Sequence, residues 1–462
     1  MQKFMFLSLT CVALVRVTNA QHVFAHFMDS LQDTLRLYAQ NSYSYAESDW
    51  TNDMTTAQNI GIDGFALNIA ANDYEVDRIV DAYAAAEALG FKLFYSFDMS
   101  YTWQQSDMVN IVGNHSSSPS TFLWNNTILV STYSGETKAS TSYLHPHFTT
   151  YRDPSDAASL VSTFPSIDGF FNWWSWPADV DANLTTATDL AYKAAVSSLS
   201  GPYIMSVSPW QFKNLDGAGD WVEYSDTLWN YRWQQAVNDV KPDIIEIATW
   251  NDYGESHYIG DINPNVYLGT QAPLYVDGFT HAAWRDVAQY YISWFKTGSA
   301  PTITKDEVVF WYRAWPKAVN CSTGSLPRNA AYPEDAVFAL AMLKDTATIT
   351  LAMGSNTVNF TAGAGVTMGS VPFPSEDSQV PYIAISRDGT TVVDTHGSMY
   401  VNQSGCTYYN FNPFVGNISR LMKLVSRSRA LCSDLKDAIK VTMDPWMIWI
   451  MTLTLLVYGE RD

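Results

Sequence analysis

The chain has 462 residues, with 46 acidic against 26 basic side chains and a formal net charge of −20. That excess excludes nucleic acid and anionic surfaces as partners and leaves neutral substrates open. The length suffices for a large barrel plus a second domain. Aromatics at 14% suit either a large core or platforms for sugar rings.

Residues 1–20 read as a secretory signal, with Lys3 in the basic n-region, an apolar run from Phe4 to Val15, and a small-residue cleavage site at Thr18-Asn-Ala20. The mature protein is then expected to be secreted and extracellular or cell-wall associated. Asn-x-Ser/Thr acceptors at Asn114, Asn125, Asn183, Asn320, Asn359, Asn402 and Asn417 agree with export. Among the cysteines, Cys11 leaves with the signal. Cys321 and Cys406 are candidates for a disulfide in an oxidising compartment, and Cys432 is left over. No Cys/His set has metal-ligand spacing, so no structural zinc is expected.

From residue 21 to about 300 the pattern alternates strands and helices. Strands are predicted at Val23–Met28, Gly64–Ile69, Lys92–Phe97, Ile128–Ser131, Gly169–Trp173, Tyr203–Val207 and Ile244–Thr249. Helices are predicted at Ser48–Ile60, Tyr74–Leu89 (stopped by Gly90), Trp229–Val240 and His281–Thr297. The alternation predicts an α/β fold, a TIM-like (β/α)8 barrel whose eighth strand is hard to see. A doubly wound open sheet is the alternative, although no Gly-x-Gly-x-x-Gly opens a helix. Residues 301–419 change texture, with alternating runs at Thr346–Leu351, Thr357–Phe360, Tyr382–Ser386 and Thr391–Thr395. These predict an antiparallel β-sandwich accessory domain that binds glycan or buttresses the barrel. Two segments look foreign: Asp29–Gln40, placed at a strand end, and an atypical tail over 420–462. The tail's apolar run Trp446–Tyr458 is too short for a comfortable membrane span, so no membrane partner is expected in the mature protein.

The chemistry concentrates where the strand from Ile244 runs into Trp250-Asn-Asp-Tyr-Gly-Glu-Ser-His257. In a parallel barrel the C-terminal strand ends carry the reaction, and glycosidic cleavage uses two carboxylates, here Asp252 and Glu255. The plainer reading is a capping Asp and a solvated Glu on an ordinary loop. His257, two residues on, would bind a hydroxyl or set the pKa of the acid. Asn68 and Asp98 end the second and third strands and project to the same mouth, as substrate contacts or as loop caps. His26 alternates inward on the first strand and reads as a satisfied core histidine. In Asn172-Trp-Trp-Ser-Trp176, alternation sends Trp173 and Trp174 to opposite faces, and Trp174 is the expected stacking platform. Trp210, Trp250 and Asn251 are further substrate-binding candidates.

Val23-Phe-Ala-His-Phe-Met28, Asp49-Trp50, Gly61-Ile-Asp-Gly-Phe-Ala-Leu-Asn68, Phe94-Tyr-Ser-Phe-Asp98, Ser208-Pro-Trp210 and Thr249-Trp-Asn-Asp-Tyr-Gly-Glu-Ser-His257 resemble the fungal α-1,3-glucanases, or mutanases, of glycoside hydrolase family 71. The likeness runs in order over most of the chain. It implies a barrel with a β-sandwich and inverting hydrolysis of α-1,3-glucan. Carried over, the family's catalytic pair falls on Asp252 and Glu255, with Glu255 expected as general acid and Asp252 as general base, and the reverse assignment open. An inverting pair leaves room for a water, roughly 6.5–9.5 Å. The family passes from His-Phe-Met almost directly into the loop represented here by Asn41-Ser-Tyr-Ser-Tyr45, so Asp29–Gln40 departs from it. No cofactor is implied, and the expected partner is α-1,3-glucan alone, bound by a monomer. The alternatives are a hydrolase of another α-glucan, or a non-catalytic glycan-binding cell-wall protein on a decayed barrel. Two intact carboxylates argue against decay.

Overall fold

The computed structural model describes residues 21–29, 41–72, 74–135, 153–215 and 219–419. The signal, most of the inserted segment, the tail, Cys11 and Cys432 lie outside them.

Seven parallel strands form the first sheet: β1 (His22–Met28), β2 (Gly64–Ile69), β3 (Lys92–Asp98), β4 (Val130–Tyr133), β5 (Phe170–Asn172), β6 (Tyr203–Val207) and β7 (Ile244–Ile247). Their order is β4-β3-β2-β1-β7-β6-β5. This is the expected TIM-like architecture, nearly closed. An eighth strand is not found among the described residues, and none lies between β7 and β1, which pair directly from His22↔Ile244 to Ala25↔Ile247. The ring lacks a bonded neighbour pair only between β4 and β5. Helices α1 (Glu47–Asn59), α2 (Glu75–Leu89), α3 (Gln105–His115), α4 (Ala187–Val196), α5 (Leu228–Gln234) and α6 (Trp284–Thr297) cross between strands or follow the last. A π-helical turn, Gln235–Val240, extends α5.

Alternation along each strand divides the side chains. Phe24, Ala66, Phe94, Phe171, Ile204 and Ile244, one from each of six strands, meet around Phe122 as an apolar plug inside the barrel. Val23, Ala25, Phe27, Phe65, Leu67 and Leu93 point outward into the layer packed by helices. Strands buried on both faces need continuous apolar runs, which is what these sequences supply. Gly64 is required here: a Cβ would stand 2.2 Å from the Lys92 carbonyl oxygen and 2.4 Å from the Phe24 ring. Two residues above the plug, inward positions turn polar, with His26 and Glu246 joined Nδ1 to Oε1 at 2.7 Å.

The C-terminal region forms two antiparallel four-stranded sheets. The inner one, ordered β12-β9-β8-β15, contains β8 (Glu307–Arg313), β9 (Ala336–Leu343), β12 (Gly365–Pro372) and β15 (Pro413–Ser419); the outer, ordered β11-β10-β13-β14, contains β10 (Ala347–Met353), β11 (Asn356–Ala362), β13 (Tyr382–Arg387) and β14 (Thr390–His396). Val308, Phe310, Val337 and Ala339 face the outer sheet in one core. Val309, Trp311, Phe338 and Leu340 belong to the core that includes the barrel's outer face. The inner sheet is therefore shared. Trp210 donates its indole N–H to the Phe411 carbonyl at 3.0 Å, and Trp311 does the same to Asp226 at 2.9 Å.

Cys321 and Cys406 are joined by a disulfide across 85 positions. Loop closure of this kind restricts the unfolded chain, so Cys321→Ser is expected to lower unfolding free energy by about 2–4 kcal/mol. Denaturant titration would check this. A variant as stable as its parent would mean that the adjoining Thr323–Thr407 backbone pairing, 2.9 Å, holds this segment unaided.

Candidate active site

The loop after β7 is pinned to the end of β1. The Trp250 N–H donates to the His26 carbonyl at 2.8 Å. The Asn251 side chain donates to the Met28 carbonyl at 3.0 Å and accepts from the Met28 N–H at 2.7 Å, copying a backbone pair. Asn41 donates to the Asn251 carbonyl at 2.8 Å. The chain then turns on side-chain-to-backbone bonds: the Asp252 N–H donates to Thr249 Oγ1 at 2.8 Å, and the Glu255 N–H to Asp252 Oδ1 at 3.0 Å. Both carboxylates are thereby aimed at one point.

His257 stands between them. Its Nε2 lies 3.3 Å from Asp252 Oδ2 and 3.3 Å from Glu255 Oε2. The loop after β6 supplies two further partners for Glu255. Gln211 Nε2 donates to Oε2 at 3.0 Å, and Lys213 Nζ lies 3.7 Å from Oε1. The Asp252 side chain is 4% exposed, whereas that of Glu255 is 25% exposed. Burial lifts the Asp252 carboxyl to about 6, with the Glu255 charge adding to the rise and His257 opposing it. Burial also pushes Glu255 up, but the His257 hydrogen bond, the Lys213 charge and Gln211 outweigh it and bring the group down to about 2. One carboxyl favours its proton and the other its charge.

Asp252, Glu255 and His257 each offer one ligand atom, all within 4.8 Å of one another, close enough to hold a divalent cation. The Lys213 ammonium beside Glu255 opposes such an ion by like charge.

The remaining candidates divide into two groups. Asn68 and Asp98 end β2 and β3 on the barrel's inner face and are buried. The Asn68 amide nitrogen has no hydrogen-bond partner among the described residues. Burial raises the Asp98 carboxyl, against bonds from Ser100. Both remain at the mouth. Trp210, Trp250 and Asn251, by contrast, are at most 1% exposed. Trp250 packs on Phe65 in the layer outside the strands, ring centroids 5.3 Å apart, and the Asn251 amide is spent on Met28. In this conformation they shape the loop and offer no face to a sugar. Trp174 is half-buried, and its carbonyl accepts from Arg232 at 3.1 Å.

Sequence reasoning missed Gln211, Lys213 and Trp173. The Trp173 ring packs on His26 (4.7 Å), Tyr133 (5.9 Å) and Trp176 (6.0 Å), and Trp176 reaches His257 at 5.1 Å. Trp173 is thus linked through the rings of Trp176 and His257 to the carboxylates. The signal for Gln211 and Lys213 was their period-2 spacing just past the Ser-Pro-Trp strand end. His26 does lie in the core, yet among the described residues only one ring nitrogen is satisfied, by Glu246.

A family model described as Glycosyl hydrolase family 71 matches residues 19–427. A glucan endo-1,3-alpha-glucosidase of Schizosaccharomyces pombe is 35% identical over 442 residues, covering 90% of this chain and 99% of that protein. A mutanase of Penicillium rubens is 34% identical over 434 residues, covering 89% of this chain and 92% of its own. Among solved structures, a GH99 endo-alpha-mannosidase from Bacteroides thetaiotaomicron aligns over 60% of this chain and 98% of its own, at 12% identity and a TM-score of 0.46.

Proposed function

Because the chain belongs to glycosyl hydrolase family 71, we propose that it is an extracellular enzyme hydrolysing α-1,3-glucosidic linkages in α-1,3-glucan with two carboxylates. The observation that carries this reading is the pair Asp252–Glu255 at the C-terminal mouth of the barrel, bridged by His257 Nε2 at 3.3 Å from each carboxylate. The names of the two relatives support the linkage, and the acidic surface suits a neutral polymer that needs no charge steering.

Unequal burial of the two side chains, 4% against 25% exposed, supports the reverse of the expected roles. Asp252, buried and raised, is the general acid that protonates the leaving oxygen. Glu255, held ionised by Lys213 and Gln211, is the base that activates water. Inversion is the stereochemical outcome the family resemblance favours.

Proton NMR of the secreted protein acting on insoluble α-1,3-glucan tests both hydrolysis and its stereochemistry. Initial release of β-anomeric sugar supports inversion, α-anomeric sugar establishes retention, and no sugar from folded protein would sink the enzyme reading. The pH profile follows from the same assignment. Asp252 must be protonated, a state lost as pH rises through about 6, and Glu255 must be ionised, a state lost as pH falls through about 2. The expected kcat/KM profile is a bell on the acid side of neutrality. Undiminished activity above pH 8 would contradict Asp252 as the acid.

A further inference from the structure

A cavity opens beside the loops after β5 and β6, at the junction with the C-terminal sheets. It measures about 340 Å³, and its walls include Asp181 and Asn183 from the loop after β5, Tyr224 from the loop after β6, and Lys317, Tyr332 and Glu334 from the segment between β8 and β9. This is at the small end of ligand pockets, roughly 300–1,000 Å³.

The walls are built, not incidental. Trp221–Val222 folds back antiparallel on Phe212–Lys213, and the Glu223 N–H donates to the Gln211 carbonyl at 3.0 Å. Tyr224 therefore follows directly on the ribbon whose Gln211 holds Glu255. On the other side, the Val222 N–H donates to the Arg328 carbonyl and the Arg328 N–H to the Asp220 carbonyl, each at 3.0 Å. The Asp179 carboxylate accepts from Arg328 Nε at 2.8 Å and from Asn329 at 2.6 Å, and its carbonyl accepts from the Tyr332 hydroxyl at 3.1 Å. Lys317 Nζ donates to the Ala331 carbonyl at 2.8 Å.

The lining selects a ligand class. Asp181 and Glu334 repel an anion, and Lys317 opposes a simple cation. Carboxylate acceptors, an ammonium donor and two tyrosine rings together match a neutral polyhydroxyl chain, which presents donors, acceptors and a C–H face. We propose that this cavity is an outer subsite for the same α-glucan chain that reaches Asp252 and Glu255, so that the accessory sheets take part in substrate recognition. The proposal rests on the glucanase reading.

The test uses the full chain in an Asn183→Gln background, so that no attached glycan occupies the cavity. Two variants alter opposite walls: Tyr224→Ala on the barrel side and Lys317→Ala on the sheet side. Soluble α-1,3-glucooligosaccharides of rising length are the substrates, and unfolding midpoints are recorded in parallel. Both variants should leave kcat/KM on the shortest cleaved oligosaccharide unchanged. On the longest, Tyr224→Ala should lower it by about tenfold, the size of one aromatic stacking contact. An equal loss at every length would mean that Tyr224 acts through Gln211 on Glu255, and would overturn the subsite, as would no loss in either variant. A parent inactive on all lengths would overturn the glucanase reading, and the subsite with it; an active parent with length-independent variants would overturn the subsite alone.

Discussion

Glu255→Gln is expected to lower hydrolysis of α-1,3-glucan by about 10²–10⁴-fold while binding to the insoluble polymer persists. Glutamine keeps the side chain's shape and an oxygen that can still accept from Gln211 or His257, but it cannot take a proton from water. It also leaves the Lys213 ammonium, 3.7 Å from Oε1 in the parent, without its counter-charge. Asp252→Asn should be comparably damaging, because an amide cannot deliver a proton to the leaving oxygen. Initial rates of reducing-sugar release and a pull-down on washed glucan are the two readouts. Turnover near the parental rate would remove Glu255 from the mechanism. Loss of binding together with turnover would point to a collapsed loop. A parent that binds glucan but never cleaves it would instead establish the decayed-barrel alternative.

The second large effect concerns stability. Arg232 on α5 is fully buried and donates to both Asp189 oxygens, at 2.7 and 3.0 Å. Its remaining donors reach the carbonyls of Ser206 and Trp174 and the side chain of Gln235. Asp189 also accepts from Asn172 at 2.8 Å and from Tyr203 at 2.9 Å. Arg232→Met strands the Asp189 charge in the interior and removes donors from two carbonyls, a loss of about 3–5 kcal/mol. Asp189→Asn added to it removes the stranded charge and should recover part of that loss, which a double-mutant cycle in urea would resolve. A single-variant cost below about 1 kcal/mol would show that water replaces the guanidinium. Because the network ends on Trp174 and Asn172, the same change should loosen the loop that presents Trp173.

How much of this was legible beforehand depended on which faces of an element meet water. The runs Thr346–Leu351, Thr357–Phe360, Tyr382–Ser386 and Thr391–Thr395 correspond to β10, β11, β13 and β14, the outer sheet. Strand β10 alternates buried with more open positions and β11 half-buried with exposed ones, and that period is visible in sequence. Strands β8 and β9 are buried on both faces, so their residues show no period and gave no signal. Helices α3 and α4 were missed for a related reason, since polar residues such as Gln105, Asn110, Thr188 and Lys193 blur their apolar stripe. The candidate block was legible because its two carboxylates, Asp252 and Glu255, stand on one short stretch of sequence. Lys213 and Gln211 were not, because their link to Glu255 spans more than 40 residues and exists only once β6 and β7 are paired. The unequal burial of these two neighbouring acids is likewise something that residue types alone do not encode.

The shared inner sheet bears on modularity. Many carbohydrate-active chains behave as beads on a tether, each bead exchangeable. Here Trp311, Phe338 and Leu340 of β8 and β9 complete a wall of the catalytic half, while Phe310, Val337 and Ala339 beside them complete the other half. Neither half owns that sheet. A foreign accessory unit grafted after α6 would have to reproduce this lining residue by residue.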